Sequence, residues 1–236
     1  SGRPMAHLAH VGCYALALLC IFISSGCSLM GAGGPVTKQV ATCRQLSQRG
    51  MSAIERGQWN TAESLLAQAI KSCPVDANAQ RHYAETLWQR GAQQEALLHA
   101  EQALRLSGDD PHIAVRVGEM NLTMGRLNEA LALSNTAIDA DPTLATAWAL
   151  RGRVEQIDGQ PEAALADFHR ALQYRPNDRG LLMETAELNR VLNRPQRALA
   201  TLATLRETYP SGEEPARLLM LEGMAMMALG RHEDAI

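Results

Sequence analysis

The sequence predicts an all-α fold, a solenoid of helix–turn–helix hairpins. Three observations carry that prediction. Laid in rows of 34, small residues fall into register. One column holds Gly50, Ala84, Gly118, Gly152, Ala186 and Gly223, and a second holds Ala62, Ala96, Ala130, Ala164, Ala198 and Ala235. A third holds Ala69, Ala103, Ala137 and Ala171, broken only by Leu205. The punctuation is equally periodic, with turn residues at Gly57, Gly91, Gly125, Gly159, Asn193 and Gly230 and closing residues at Pro74, Gly108, Pro142, Pro176 and Pro210. Lastly, aromatic residues make up only 4% of a chain rich in Ala and Leu, a composition that favours helix over sheet.

Ahead of the rows, residues 1–27 read as an export segment. Residues 11–24 are an apolar run of signal-peptide length, short for a bilayer-spanning helix. Ser24, Ser25 and Gly26 then lead into Cys27, and small residues before a cysteine resemble a bacterial lipobox. The resemblance implies lipidation of Cys27 and an outer-membrane lipoprotein facing the periplasm. Ser24 stands where a lipobox usually has Leu, and an ordinary cleaved signal or an uncleaved N-terminal anchor remain the alternatives. Residues 28–42, with Gly, Ala and Pro and no helical period, read as a flexible tether with a reach of about 20 Å.

Rows begin at Cys43, Ala77, Pro111, Ala145 and Arg179, and a sixth begins at Ala216 after three inserted residues. The physics of each column is specific. Small side chains let two helices approach closely, where a larger one would overpack. The turn residues take the left-handed conformation that ends a helix, which Asn193 tolerates better than other non-glycine residues. Pro161 and Pro195 sit where a second helix begins, and Asp110-Pro111 reads as an N-cap followed by Pro at the first helical position. The sixth row stops at Ile236, halfway through its second helix, leaving Met220, Met224, Met226 and Met227 without a later helix to pack on. A solenoid normally ends in a polar cap, so the array is expected to continue beyond Ile236.

The columns resemble the tetratricopeptide repeat, over residues 43–236. Trp148, Gly152 and Phe168 fall on that family's large, Gly and Phe positions, while Arg151 replaces its usual Leu. The resemblance implies a right-handed superhelix of five full repeats and a partial sixth, with an inner groove that binds a protein or peptide. In that family the first helix of each repeat lines the groove. The matching residues here are Asn78, Arg81, Glu85 and Trp88; His112, Glu119 and Leu122; Arg153 and Gln156; and Met183, Glu187 and Arg190. Arg81, Glu85 and Trp88 share one helix face, although Arg81 and Glu85 also have the spacing of an ordinary surface ion pair.

Two cysteines remain within the rows. Cys43 opens the first helix of row one and Cys73 closes the second, and in an antiparallel hairpin those ends are neighbours. A Cys43–Cys73 disulfide is therefore expected in an oxidising compartment, two half-buried thiols being the alternative. No nucleotide loop, nucleophile elbow or zincin motif occurs, and the histidines fall in different columns. Neither catalysis nor a cofactor or metal is expected. The net charge of −3 argues against broad nucleic-acid binding. The resulting expectation is a membrane-tethered scaffold of the bacterial envelope, of the kind that assists assembly of pili or secretion machinery. The alternative is a targeting module of an enzyme whose catalytic domain lies beyond residue 236.

Overall fold

The structure, a computed structural model, describes residues 35–231. Cys27, residues 1–34 and residues 232–236 lie outside the described residues. The chain divides into two units, Ser1–Thr42 and Cys43–Ile236. Among the described residues there are eleven helices and no strand. They are α1 (Pro35–Glu55), α2 (Trp59–Ser72), α3 (Ala77–Gln89), α4 (Gln93–Leu106), α5 (Pro111–Thr123), α6 (Leu127–Ala140), α7 (Ala145–Ile157), α8 (Pro161–Tyr174), α9 (Arg179–Val191), α10 (Pro195–Arg206) and α11 (Ala216–Ala228).

The tether expectation needs one correction. Residues 35–42 are helical and belong to α1, not to a coil. Pro35 presets the backbone for a first helical turn, and no Gly or Pro follows it until Gly50. The glycines that suggested a coil all precede that start.

Within the second unit, helix ends follow the punctuation. Asp76 and Asp178 accept the backbone N–H of Ala79 and Leu181 at 3.0 and 3.1 Å. Asp110 accepts those of His112 and Ile113, with Pro111 occupying the first turn. Pro161 and Pro195 likewise open α8 and α10. Every described member of the turn column has positive φ, including Asn193 at 55°. Asn193 is thus the turn residue its row required.

Each hairpin packs on itself and then on the first helix of the next. Phe168 of α8 is fully buried, and the cluster around it joins Ala145 and Ala149 of α7 to Leu181 and Leu188 of α9. The same arrangement recurs where Ala130, Ala137 and Ile138 of α6 meet Ala114 and Val115 of α5 and Leu150 and Val154 of α7. The close approach explains the glycine column: a Cβ on Gly152 would lie 2.7 Å from the Phe168 ring and 3.1 Å from the Ala164 carbonyl oxygen. The ring cannot withdraw easily from a sealed core. Gly152→Ala therefore loses about 1–3 kcal/mol to overpacking, more than the ~1 kcal/mol that Ala gains over Gly in a helix. Chemical denaturation followed by circular dichroism should show a lower midpoint; an unchanged or raised midpoint would contradict this packing.

Candidate protein-binding face

Among the first helices, α5 packs against α7 and α9 against α11, while α3 and α5, and α7 and α9, are bridged by ion pairs. All twelve residues expected to line the groove belong to these first helices. Asn78, Arg81, His112 and Gln156 are exposed, and the other eight are half-buried. What the structure changes is how they are engaged.

Glu85 does not pair with Arg81 within its own helix. Its carboxylate receives both Nε and Nη2 of Arg116, at 2.9 and 3.0 Å, from the next repeat. Arg116 also reaches Glu119 one turn along, at 3.2 Å. Two repeats later the arrangement recurs with the signs exchanged: Arg153 donates Nε and Nη2 to Glu184 at 2.9 and 2.8 Å. Glu187 then pairs with Arg217. Glu85–Arg116 and Arg153–Glu184 are each 31 residues apart, one row minus one helical turn, which places a side chain opposite the preceding turn of the next first helix. Both pairs remain about a third exposed, so each contributes ~0.5–1 kcal/mol and mainly fixes one helix against the next.

Trp88, expected to line the groove, is half-buried. It packs against the cores on both sides of α3, and the Arg116 guanidinium lies 5.8 Å from its ring centroid. Truncating it would damage the solenoid as well as the face. Arg190 is also less available than its column suggests, because its Nε is buried, with no partner among the described residues.

The open part of the face lies around the start of α7. A cavity of about 310 Å³ is lined by His112, Asp141, Thr143, Thr146, Tyr174 and Arg175, among others. A second, about 120 Å³, continues from Ala145, Thr146 and Arg175 to Glu119, Arg153 and Asp178. Leu144 is the N-cap of α7 and gives no side-chain cap. The carboxylates here are committed: Asp141 accepts from the backbone N–H and hydroxyl of Thr143, and Asp178 caps α9. Those hydrogen bonds hold the Asp141 carboxyl below its ordinary range. Arg175, by contrast, has only a 3.5 Å contact to Asp178 and is largely exposed. Of this group, sequence reasoning found His112, Glu119 and Arg153. It missed Thr146, Tyr174 and Arg175, because the last two come from the end of a second helix and the loop after it, outside the first-helix columns. Arg116, Glu184 and Arg217 were missed as partners, though the 31-residue spacing was there to be found for the first two.

Arg151, the departure from the repeat pattern, has a separate task. Its guanidinium forks onto Asp167 of α8 at 2.6 and 2.9 Å, donates to Asn135 of α6 at 3.0 Å, and lies 4.8 Å from the Trp148 ring centroid. Asp167 is almost fully buried, so this pair replaces an apolar contact with a directional one. Burial, together with the Asp167 charge, pushes the nearby Glu155 carboxyl up. Among the described residues no group of three His, Cys, Asp or Glu is placed to hold a metal ion.

This architecture defines a solenoid of helical hairpins whose first helices are bridged by ion pairs between repeats. The family models for the tetratricopeptide repeat match residues 47–111 and 157–223, and the chain belongs to that family. It is a protein-interaction scaffold. Among solved structures it is similar to PilF of Pseudomonas aeruginosa, with a TM-score of 0.73 and 18% identity, covering 84% of this chain and 89% of that one. It is also similar to PilW, described as a widely conserved type IV pilus biogenesis factor, with a TM-score of 0.73 and 22% identity, covering 82% and 88%. A thermophilic TPR protein of Thermus thermophilus matches at TM-score 0.60 and 22% identity, covering 79% and 98%. At these identities the likeness is one of fold. Among curated proteins, superkiller complex protein 3 of Mus musculus is 28% identical over 54% of this chain, and protein O-mannosyl-transferase TMTC1 of Mus musculus is 27% identical over 59%. The chain spans only 9% and 15% of those two proteins.

Two half-buried histidines in the second repeat make the fold sensitive to pH. His99 shares its Nδ1 with Gln80 Oε1 at 2.7 Å and meets the Tyr83 ring edge-on at 4.8 Å. Gln80 Nε2 donates to the Pro74 carbonyl, which turns its oxygen toward His99 and assigns the proton to Nδ1. Burial lowers the pKa of His99 against the opposing pull of Glu95; burial and then Arg81 lower that of His82 against Asp76 and Glu85. Both therefore titrate below the 6.5 of an unfolded histidine. Below pH 6.5 the unfolded chain takes up protons first, so this contribution is complete above that value and is lost as pH falls through the lowered folded values. Urea midpoints should fall on acidification through this window, and the His99→Gln variant should show a shallower fall. An equal slope in both proteins would remove His99 from the account.

Proposed function

We propose that this chain is a membrane-tethered, non-catalytic scaffold of the bacterial envelope. It holds a peptide segment of a protein partner on its first-helix face and takes part in the assembly of a surface machine such as a type IV pilus. The observation that carries the reading is the pair of cavities around Thr146, both bordered by Ala145, Thr146 and Arg175. Here Arg175 and Thr146 border a concave stretch of the face, while Glu85, Arg116, Arg153 and Glu184 on either side are tied into inter-repeat pairs. Thr146, Tyr174 and Arg175 suit the backbone carbonyls and acidic side chains of an extended or helical segment. The assembly role draws its support from the two pilus-related neighbours, whose folds match over more than four-fifths of this chain. Tethering draws its support from Cys27 and the apolar run before it; among the described residues no helix is long and apolar enough to cross a membrane.

Two measurements test the two halves separately. Affinity capture from envelope extracts should compare the wild type with the Arg175→Glu, Thr146→Glu double variant, which changes exposed or half-exposed positions and leaves the core alone. Partner recovery is expected to fall about tenfold or more, the scale of losing one charge-assisted contact and adding a repulsion. An identical partner set at identical yield would refute the assignment of the face. Tethering through lipid requires that metabolic labelling with palmitate mark the wild type and be lost in Cys27→Ala; an unlabelled wild type would end that half.

A further inference from the structure

The cysteines of the first repeat are brought together by the hairpin. Cys43 of α1 is 1% exposed and shares a small core with Ala69 of α2 and Ala79 of α3, against which Cys73, the C-cap residue of α2, is packed. The Cys43 thiol donates to the Asp76 carboxylate at 3.6 Å. The structure carries both cysteines as thiols, so the expected cross-link is not formed in it.

The fifth repeat shows independently that these two columns face each other. One row position four times repeated carries Cys43 to Arg179, and the same step carries Cys73 to Tyr209. There the Arg179 guanidinium lies 4.0 Å from the Tyr209 ring centroid. The open end of a hairpin is thus a place where the first helix and the end of the second are clasped by whatever side chains the row supplies. In row one those side chains are two sulfurs.

We propose that Cys43 and Cys73 form a redox site, which exchanges with a small-molecule or protein disulfide to give an intrachain disulfide that clasps the first hairpin. The exposure difference sets the order of events. Cys73, at the half-buried end of α2, meets the donor; its thiolate attacks one donor sulfur, breaks the donor's S–S bond and releases one donor thiol. Cys43 then attacks the Cys73 sulfur of this mixed disulfide. Its proton, already shared with Asp76, passes to solvent, and the second donor thiolate leaves and is protonated. Two cysteine thiols are oxidised and one donor disulfide is reduced to two thiols, so atoms and electrons balance. Burial first, then the neighbouring Cys73 and Asp76, push the Cys43 thiol up to about 12, in keeping with its acting second and only toward a sulfur already beside it. Oxidation ties α1 to the end of α2 within the first hairpin, for which no upstream hairpin is described.

The test uses the full chain, reduced, then treated with oxidised glutathione and mapped by non-reducing peptide mass spectrometry. The cross-linked 43–73 species should accumulate through a transient glutathione adduct on Cys73. In Cys43→Ser that adduct should persist, and in Cys73→Ser the folded protein should leave Cys43 unmodified. Amide exchange across α1 and α2 should slow about tenfold or more on oxidation, with α7 and α8 unchanged. Four results would overturn the proposal. They are both cysteines remaining alkylatable after treatment, a wild-type adduct on Cys73 that never resolves, a Cys43 that reacts as fast alone as Cys73 does, or a cross-link that leaves exchange in α1 and α2 unaltered.

Discussion

The structure depends on how closely neighbouring helices approach at the small-residue columns. Leu66 already sits where a Cβ on Gly50 would come within 2.6 Å, Leu150 where one on Gly118 would come within 2.5 Å, and Phe168 where one on Gly152 would come within 2.7 Å. Each large side chain fills the space that a missing one leaves on the partner helix, so the core is a sequence of such exchanges, not one central mass. The fully buried Ala62, Ala96, Ala130 and Ala164 extend that contact along the second helices. This fixes the helices at one spacing and makes each repeat dependent on its neighbours, since no hairpin closes its apolar face alone.

That spacing also disposes of the charges. An Arg on one first helix reaches a Glu on the neighbouring one, and Glu85–Arg116 and Arg153–Glu184 use the same 31-residue offset with opposite polarity. Charges that look like recognition groups in the sequence are thereby spent on neighbouring helices. The face is left with less free charge than its composition implies, and selectivity moves to the places where the pairing is interrupted. The start of α7 is such a place: Ala145 and Ala149 are small, Leu144 offers no cap, and Arg175 reaches the site from a loop.

The fold was legible because it is written in periodicities. Helix starts at Pro111, Pro161 and Pro195, and the left-handed turn at Asn193, depend on local chemistry that a single residue reveals. The start of α1 was less legible, since a Gly-rich stretch beside Pro35 gives no sign of where the coil ends and the helix begins. The face was half legible. Repeat columns say which helix a residue belongs to, but not whether the next helix has already claimed it; Trp88 and Glu85 do lie on a first helix, but one is packed against the core and the other is paired with Arg116. Arg175 and Tyr174 were hidden because a connection between repeats has no column of its own. The 31-residue offset could have revealed the ion pairs, had the rows been compared along the diagonal as well as down the columns.

Departures from the repeat therefore divide by what surrounds them. Arg151 replaces an apolar residue inside a hairpin, and the cost of placing charge there is offset by Asp167, Asn135 and the Trp148 ring, so the change stays within the fold. At the open ends of the hairpins a residue of the first helix lies beside one from the end of the second, and the rows differ in what they place there: two thiols in the first, an Arg over a Tyr in the fifth, and in the fourth a buried Ala145 and an exposed Arg175 bordering the two cavities. A substitution inside a hairpin must satisfy the helix it faces before it can serve any partner. One at the end of a second helix, such as Cys73 or Arg175, keeps part of its surface open to solvent, and is where a repeat protein can acquire chemistry of its own without surrendering the spacing that holds it together.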